Sequence, residues 1–569
     1  MRIKILRVII IGLFVLVAFY LGYLQLIRGP YFYSLSKNNH IRVVSLEGQR
    51  GRILDRYGAL LADNRKVFEV VVIPGELKDR EGLFDFLSQT LQVEKEKLLE
   101  TYNQKMYASF APVVVREDIT RTQAIVIEEN KFRFPGLLVQ EDYRRFYPYK
   151  DTAAHLLGYV GKISRSKIEE LKNYGYNPQS VIGYSGVEEF YDRYLKGEEG
   201  GMQIEINSRG EQVRLLGLKE PVKGQDVTLT IDLRIQQALT ELLGNQRGVI
   251  IVMTLDSGEI LGVASSPSYD PNIFVPKTNL STSLPFSDSG SPLLNRAISG
   301  QYPPGSIFKI SVALCALKEG RINPHRTFHC NGYYKLGERE FRCTHAHGDQ
   351  DLIQAIAHSC NVYFYHLGLM VGPELMEKYA RLLGLGALSS VDLPYEARGS
   401  IPNPRDRKIG YPKTWYQGDT LNLSIGQGEM LTTPLQLVQM MATLAQNGKR
   451  VRPHVVKSIG GLEVSQSPYQ MISVDQKSLR PLQQGLEAVV SDDSGTGHVL
   501  AIPGLLTAGK TGTAQAGEGR SPHAWFVGYS SSGKNRIAFV VFLEHGGASQ
   551  NACRVARDLL MRLKEKDIL

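Results

Sequence analysis

Tyr302-Pro303-Pro304-Gly305-Ser306-Ile307-Phe308-Lys309 reads as a proline-rich approach to the first turn of a helix. Ser306 stands at the helix entry and Lys309 three residues on, so the two side chains share one face. The hydroxyl lies at the positive end of the helix dipole, beside an amine that can take its proton. That is an arrangement for a serine nucleophile. The four-residue pattern also describes a surface capping serine and a solvated lysine, so the surrounding chain must decide.

Two further patterns follow in order. Ser359-Cys360-Asn361 closes a predicted helix over 352–358, and Lys510-Thr511-Gly512-Thr513 precedes a predicted strand. Ser359 lies 53 residues after Ser306, and Lys510 lies 151 after Ser359. Between them, Gly426-Gln427-Gly428 marks a loop before Thr432-Thr433-Pro434. S-x-x-K, S-x-N and K-T-G in this order form the signature of penicillin-binding proteins and class A β-lactamases.

The residue types suit acyl transfer. Ser306 would attack a carbonyl, and Lys309 must be neutral for part of the cycle, so its pKa must be depressed. A second cation, Lys510, would act in that direction. Ser359 can relay a proton to a leaving amine, and Asn361 can hold Lys309 and a substrate amide. Gly512 lets a substrate strand lie close to this edge. Thr511 and Thr513 offer hydroxyls to a carboxylate near Lys510, and the N–H groups of Ser306 and Thr513 could form an oxyanion hole.

The 569 residues allow two to four domains. Hydrophobic residues make up 43% and charged ones 22%, so a large core can form. The net charge of +9 is spread without a long basic run, which speaks against nucleic acid and fits an anionic lipid or polymer surface. Arg2, Lys4 and Arg7 precede an uncharged run from Val8 to Ile27, and Arg28 ends it. This predicts an uncleaved transmembrane anchor over 8–28, with residues 1–7 in the cytoplasm and the rest of the chain outside.

Residues 29–222 predict a mixed α+β domain, with a strand near 67–73 and helices over 79–104 and 120–129. His155 reads as a structural histidine, and the arginines of this region as ion-pair positions. From 223 to 569 early strands, a long helical middle, late strands and a last helix predict a sheet covered by helices, with both ends of the domain in one sheet.

The whole chain resembles a class B penicillin-binding protein, and within that class the elongation-type penicillin-binding protein 2. Arg50 to Gly58, Arg145 to Gly158 and Gly183 to Glu189 resemble the pedestal motifs. Trp415, Gly418-Asp419 and Leu423 to Gly428 resemble the elongation subtype, and His523 to Tyr529 the strand after the third motif. The resemblance implies an α/β (α+β) fold: a transmembrane helix, an elongated pedestal (dimerisation-like) domain, and a penicilloyl-serine transferase domain with an antiparallel sheet. It implies D,D-transpeptidation of peptidoglycan at the bacterial cytoplasmic membrane during cell elongation, with the enzymatic domain periplasmic. Stem peptides ending in D-Ala-D-Ala would be substrates, and β-lactams would acylate Ser306. No glycosyltransferase motif stands in residues 29–220, so a RodA-type SEDS polymerase and other elongation-complex membrane proteins are the implied partners. A D,D-carboxypeptidase, a serine β-lactamase, a β-lactam sensor and an inactive wall scaffold are the rival readings.

One departure carries chemistry of its own. Cys330, Cys343, His345, His347 and Cys360 fall within 31 residues of a chain with five cysteines. Zn²⁺ takes four such ligands. Cys330, Cys343, His347 and Cys360 form the predicted set, His347 being preferred to His345 because Gly348 can turn the chain. The role would be structural, since serine chemistry needs no cofactor. A disulfide between two of these cysteines, or free thiols, are the alternatives. Cys315 and Cys553 read as core residues.

Overall fold

The computed structural model describes residues 2–31, 41–46, 48–106, 111–171, 176, 180–206, 212–275, 290–405, 414–465, 469–533 and 535–569. The chain forms two compact units that interleave along the sequence. The first comprises Met1–Arg50, Asn64–Arg144 and Lys196–Gly224, and the second Gly51–Asp63, Arg145–Leu195 and Gln225–Leu569.

In the first unit, the helix Arg2–Gly22 continues as a π-helical turn, Tyr23–Ile27. The stretch Ile3–Ile27 has a mean hydropathy of 2.6 and is long and apolar enough to cross a membrane. Farther along, strands Ile41–Leu46, Gly200–Ile206 and Gln212–Lys219 form a three-stranded sheet with Gly200–Ile206 in the centre. The region predicted as helical over 79–104 is two helices, Arg80–Leu91 and Lys95–Lys105. Asp79 caps the first by accepting the Gly82 N–H, as expected of a residue that satisfies an orphan donor. Leu83, Phe84, Leu87 and Leu91 recur at helical spacing and bury against Val113 and Ile127. Thr120 and Gln123 form the capping box that starts the helix Arg121–Asn130. Arg144 pairs with Glu69 at 2.7 Å and with Glu117.

The second unit is built on a five-stranded antiparallel sheet. Its strands are β1 (Gly248–Thr254), β2 (Ile260–Ser266), β3 (Leu506–Ala514), β4 (His523–Ser532) and β5 (Asn535–Leu543), in the spatial order β2-β1-β5-β4-β3. Early and late segments of the domain therefore share one sheet, as the strand pattern predicts. β3 lies at the end of this order, with β4 as its neighbour in the sheet.

Among its helices are α1 (Leu233–Leu243), α2 (Lys309–Lys318), α3 (Leu352–Ala357), α4 (Asn361–Val371), α5 (Pro434–Ala445), α6 (Gln476–Ser491) and α7 (Ser549–Glu565). α1 and α7 pack on each other and on the sheet, while α5 lies against β1, β4 and β5. α5 is apolar nearly all round, and every residue from Pro434 to Leu444 is buried, which makes it a core helix. Thr433 and Gln436 cap it reciprocally, with Pro434 in its first turn. α2 is similarly enclosed, with Lys309 to Ala316 buried.

The middle of this unit is less uniformly helical than the sequence predicts. Phe328–Cys330 pairs with Gly348–Gln350, and Tyr333–Leu336 with Arg339–Arg342. These short strands lack the length and alternation that would announce them. His155 is buried, with Nε2 2.6 Å from the Pro292 carbonyl oxygen, and burial pushes its pKa down to about 4. It is a structural histidine. Arg145 is enclosed beside Glu188 at 2.6 Å and donates to the Gly51 carbonyl at 2.7 Å.

Candidate active site

Ser306 lies on the 3₁₀ turn Gly305–Phe308, which runs directly into α2 at Lys309. Lys309 follows Ser306 by three residues, as the first residue of the α-helix that continues the turn. Ser306 is partly exposed, whereas Lys309 and Lys510 are fully buried.

Lys309 Nζ donates to the Ser359 carbonyl at 2.8 Å, to Ser359 Oγ at 3.2 Å and to Asn361 Oδ1 at 2.6 Å. These bonds use all three donors of an ammonium. They are possible because Ser359 and Asn361 flank the junction of α3 and α4, where Ser359 adopts φ +57°. A left-handed serine is uncommon and is held only by its surroundings.

Burial pushes the Lys309 pKa down to about 8, partly offset by the nearby Cys343 and Cys360. Lys510 is held well below its ordinary value, first by burial and then by the charge of Lys309. The expected influence thus runs the other way: burial depresses Lys309, and Lys309 further depresses Lys510.

Lys510, Thr511, Gly512 and Thr513 all lie on β3. Gly512 is required by the close passage of the serine turn, since a Cβ there would stand 2.9 Å from the Pro304 carbonyl oxygen. Gly305, at φ +57°, brings the turn against the Thr513 carbonyl, 2.8 Å from where its own Cβ would be. Lys510 Nζ donates to the Thr511 carbonyl at 3.3 Å. Thr513 is exposed, but Thr511 is buried and its hydroxyl donates to Thr496 Oγ1 at 2.9 Å. Thr496 in turn donates its hydroxyl to the Ala357 carbonyl at 3.2 Å. Thr496 therefore ties the end of α3 to β3. Sequence reading missed it, because one threonine between two glycines carries no local signal.

Cys330, Cys343, His347 and Cys360 also come together, with their candidate ligand atoms within 4.8 Å of one another. Pairing of Cys330 with Gly348 brings His347 beside Cys330, Cys343 follows the Arg339–Arg342 strand, and Cys360 is the N-cap residue of α4. All five cysteines are free thiols. His347 Nδ1 lies 3.6 Å from Cys330 Sγ and 3.5 Å from Cys343 Sγ. Its buried Nε2 has no hydrogen-bond partner among the described residues. A hydrogen bond from Cys360 holds the Cys343 thiol well below the usual range, and that bond with burial raises Cys360. The Asn361 N–H donates to Cys343 Sγ at 3.2 Å, and Asn361 Nδ2 to the Arg342 carbonyl at 3.1 Å. The cluster thus abuts the residue that holds Lys309.

The penicillin-binding protein transpeptidase domain family matches residues 248–561, and the penicillin-binding protein dimerisation domain family matches residues 45–229. The peptidoglycan D,D-transpeptidase MrdA of Haemophilus influenzae is 31% identical over 94% of this chain and 87% of its own length. The penicillin-binding protein PBP2 of Helicobacter pylori, solved in complex with MreC, superposes with a TM-score of 0.83 at 29% identity, covering 93% of this chain and 100% of that one. A component of a peptidoglycan synthase complex, described as coordinating polymerization and crosslinking, superposes at 0.74 with 29% identity over 99% of this chain and 98% of its own. With the three motifs on one turn, one helix junction and one edge strand, and with both domain families matched in order, the chain belongs to the class B penicillin-binding proteins, in the branch of the PBP2 peptidoglycan transpeptidases.

Proposed function

We propose that Ser306 is the nucleophile of a D,D-transpeptidase that cross-links peptidoglycan stem peptides during cell elongation, with Lys309 as its base. The observation that carries this is the burial of Lys309 among Ser359 and Asn361, three residues along from the partly exposed Ser306. When Lys309 is neutral, two N–H groups remain for two of its partners. The Ser359 carbonyl and Asn361 Oδ1 can only accept and keep those two N–H groups, and Ser359 Oγ, at the longest distance, gives up its bond to the amine. The lone pair of Lys309 is then free to take the Ser306 proton. Ser306 Oγ bonds to the carbonyl carbon of the penultimate D-Ala, and the negative charge moves to the carbonyl oxygen, facing the N–H groups of Ser306 and Thr513. On collapse, the terminal D-Ala leaves as its amine takes a proton passed from Lys309 through Ser359. An amine of a second stem peptide then attacks the ester and frees Ser306. Burial supplies the first requirement, because an amine with a pKa near 8 is neutral often enough at physiological pH to act as a base.

β3 is the edge of its sheet, so an extended stem peptide can lie along it. Thr513 is the open hydroxyl for the substrate carboxylate, and the approach of that carboxylate favours the charged form of Lys510, which burial otherwise opposes. Thr511 joins it by releasing Thr496. β-Lactams would enter by the same route and stop at the acyl-enzyme. Labelling with a fluorescent penicillin tests this: a stable adduct in the native chain and none in Ser306→Ala is expected, and an adduct surviving in Ser306→Ala overturns it. Transfer to an added amine, measured against hydrolysis, separates the transpeptidase from a D,D-carboxypeptidase.

Cys330, Cys343, His347 and Cys360 fit a structural Zn²⁺. Three thiols and one imidazole are a donor set that zinc favours, and tetrahedral bonds of about 2.3 Å put the sulfurs roughly 3.8 Å apart. The ion would offset most of the thiolate charge and fix Cys343 and Cys360 on either side of Asn361. Near-stoichiometric zinc in protein purified without chelator is expected, and its absence would refute the site.

The apolar N-terminal helix serves as a single-pass anchor over 8–28, with residues 1–7 cytoplasmic and the enzyme outside the membrane. Residues 29–222 form the pedestal and 223–569 the transpeptidase domain. The partner assigned here is a membrane glycan polymerase of the RodA type, a reading supported by the related synthase complex that coordinates polymerization and crosslinking, with an MreC-like protein as a second, as in the Helicobacter pylori complex.

A further inference from the structure

We infer that Gln427, outside the three motifs, is a positioning residue that aims the Thr513 N–H into the oxyanion hole. The inference rests on the reading of Ser306 as nucleophile and Thr513 as an oxyanion donor.

Three backbone segments stack beside the nucleophile. Gly426 stands at φ +68°, with its would-be Cβ 2.2 Å from the Gly305 carbonyl oxygen. The Gly426 carbonyl accepts the Gly305 N–H at 3.0 Å. Gly305 in turn lies against the Thr513 carbonyl. Across this stack, Gln427 Nε2 donates to the Thr513 carbonyl at 3.3 Å. A carbonyl cannot donate, so the amide must present its NH₂ side here.

The direction of that carbonyl carries the argument. Thr513 pairs with Ala524 in an antiparallel ladder. In such a ladder, the N–H and C=O of one residue leave the strand on the same side. The Thr513 carbonyl points away from β4, toward Gly305 and Gln427. Its N–H therefore also points to the outer edge, where the oxyanion would form. A bond that fixes the carbonyl fixes the N–H with it.

The loop that carries Gln427 is itself held. The helix Gln417–Ser424 ends in bonds from the Gln427 and Ile425 N–H groups to the Asn422 carbonyl and from the Gly426 N–H to the Leu423 carbonyl. The reach of the Gln427 side chain is thus set before substrate arrives, and a donor placed in advance costs no reorganisation during reaction. The second lone pair of the Thr513 carbonyl stays available to an extended substrate.

The test measures fluorescent-penicillin acylation of the full chain in detergent, resolving the non-covalent Kd from the acylation rate constant. Gln427→Met keeps the volume and removes the donor. Its acylation rate constant is expected to fall about tenfold, the size of one lost hydrogen bond at the transition state, with Kd unchanged. Gln427→Glu sets a carboxylate against the carbonyl at pH 8 and regains a donor when protonated. Its rate relative to the native chain at the same pH is expected to recover as pH falls toward 5, and this ratio cancels the titration of Lys309. An unchanged rate constant in Gln427→Met, a loss confined to Kd, or a ratio for Gln427→Glu that stays flat with pH would overturn the inference. Labelling that survives Ser306→Ala would instead refute the nucleophile assignment, so the two failures are distinct.

Discussion

Lys309 Nζ and Asn361 Oδ1 lie 2.6 Å apart, although 52 positions separate them in the chain. One begins α2 and the other begins α4. The contact needs both helices packed into the same core, and that packing also strips water from the amine. A single event of burial thus brings the motif residues together and depresses the pKa of the amine.

The pH dependence of acylation follows from that amine. Its pKa is pushed from 10.5 down to about 8 by burial, and the neutral form is the one that takes a proton. Acylation by a fluorescent penicillin should therefore rise with pH to a plateau, with a midpoint near 8. Stopped-flow rates between pH 6 and 9.5 would show this. A rate that falls through that range contradicts the assignment. Lys309→Met should lose roughly 10²- to 10⁴-fold in rate, the usual share of a general base.

Thr496 should matter although it lies outside the motifs. Its hydroxyl sits between Thr511 and the Ala357 carbonyl. Thr496→Val keeps the shape and the 3.1 Å bond from the residue-496 N–H to the Ala357 carbonyl, but leaves the buried Thr511 hydroxyl without its acceptor, at about 1–3 kcal/mol. Acylation should drop about tenfold or more, and thermal unfolding should occur at a lower temperature. A variant that matches the native chain in both assays would show that this link is idle.

Gly426→Ala should damage the serine turn. The new Cβ would stand 2.2 Å from the Gly305 carbonyl oxygen, on a backbone at φ +68°. Either the 426 loop or the 305 turn must shift, and misplacement by about 1 Å can cost 10²-fold in rate. We expect a folded protein, by circular dichroism, that labels at least tenfold more slowly. Gly461→Ala is a control for strain alone, since its φ is +83° and nothing lies within 4 Å of the added carbon.

Arg145 and Glu188 form an ion pair at 2.6 Å with almost no exposure, 2% and 0%. Removing one partner of a buried pair leaves an uncompensated charge and typically costs about 3–5 kcal/mol. Glu188→Gln and Arg145→Met should each lower the unfolding midpoint in urea clearly. The double variant should lose less than the sum of the two. Strict additivity would mean that the pair is not coupled.

The elements legible in the sequence are those governed by neighbours. Asp79, Thr120 and Asp232 each start a helix where a capping side chain is expected, since the orphan N–H groups lie within three residues. Residues 8–27 read as a run long and apolar enough to cross a membrane, because length and hydropathy belong to the run itself. The strands near 328–350 were not legible, because three or four residues of hairpin carry too little pattern. The grouping of Cys330, Cys343, His347 and Cys360 was legible as residue types, and Gly348 takes φ +68° after His347.

From its sequence alone, this protein's motif residues, their order, the apolar anchor and the alternation of strands and helices were determined, since these depend on residue identity and local spacing. Tertiary structure alone decided what depends on distance through space: the burial that depresses Lys309, the contact of Lys309 with Asn361, the bond from Thr511 to Thr496 and the stack of Gly426, Gly305 and Thr513. The physical reason is desolvation and close packing between segments far apart in the chain, which no window of neighbouring residues contains. The serine turn could be read at once, but the surroundings of its lysine could not.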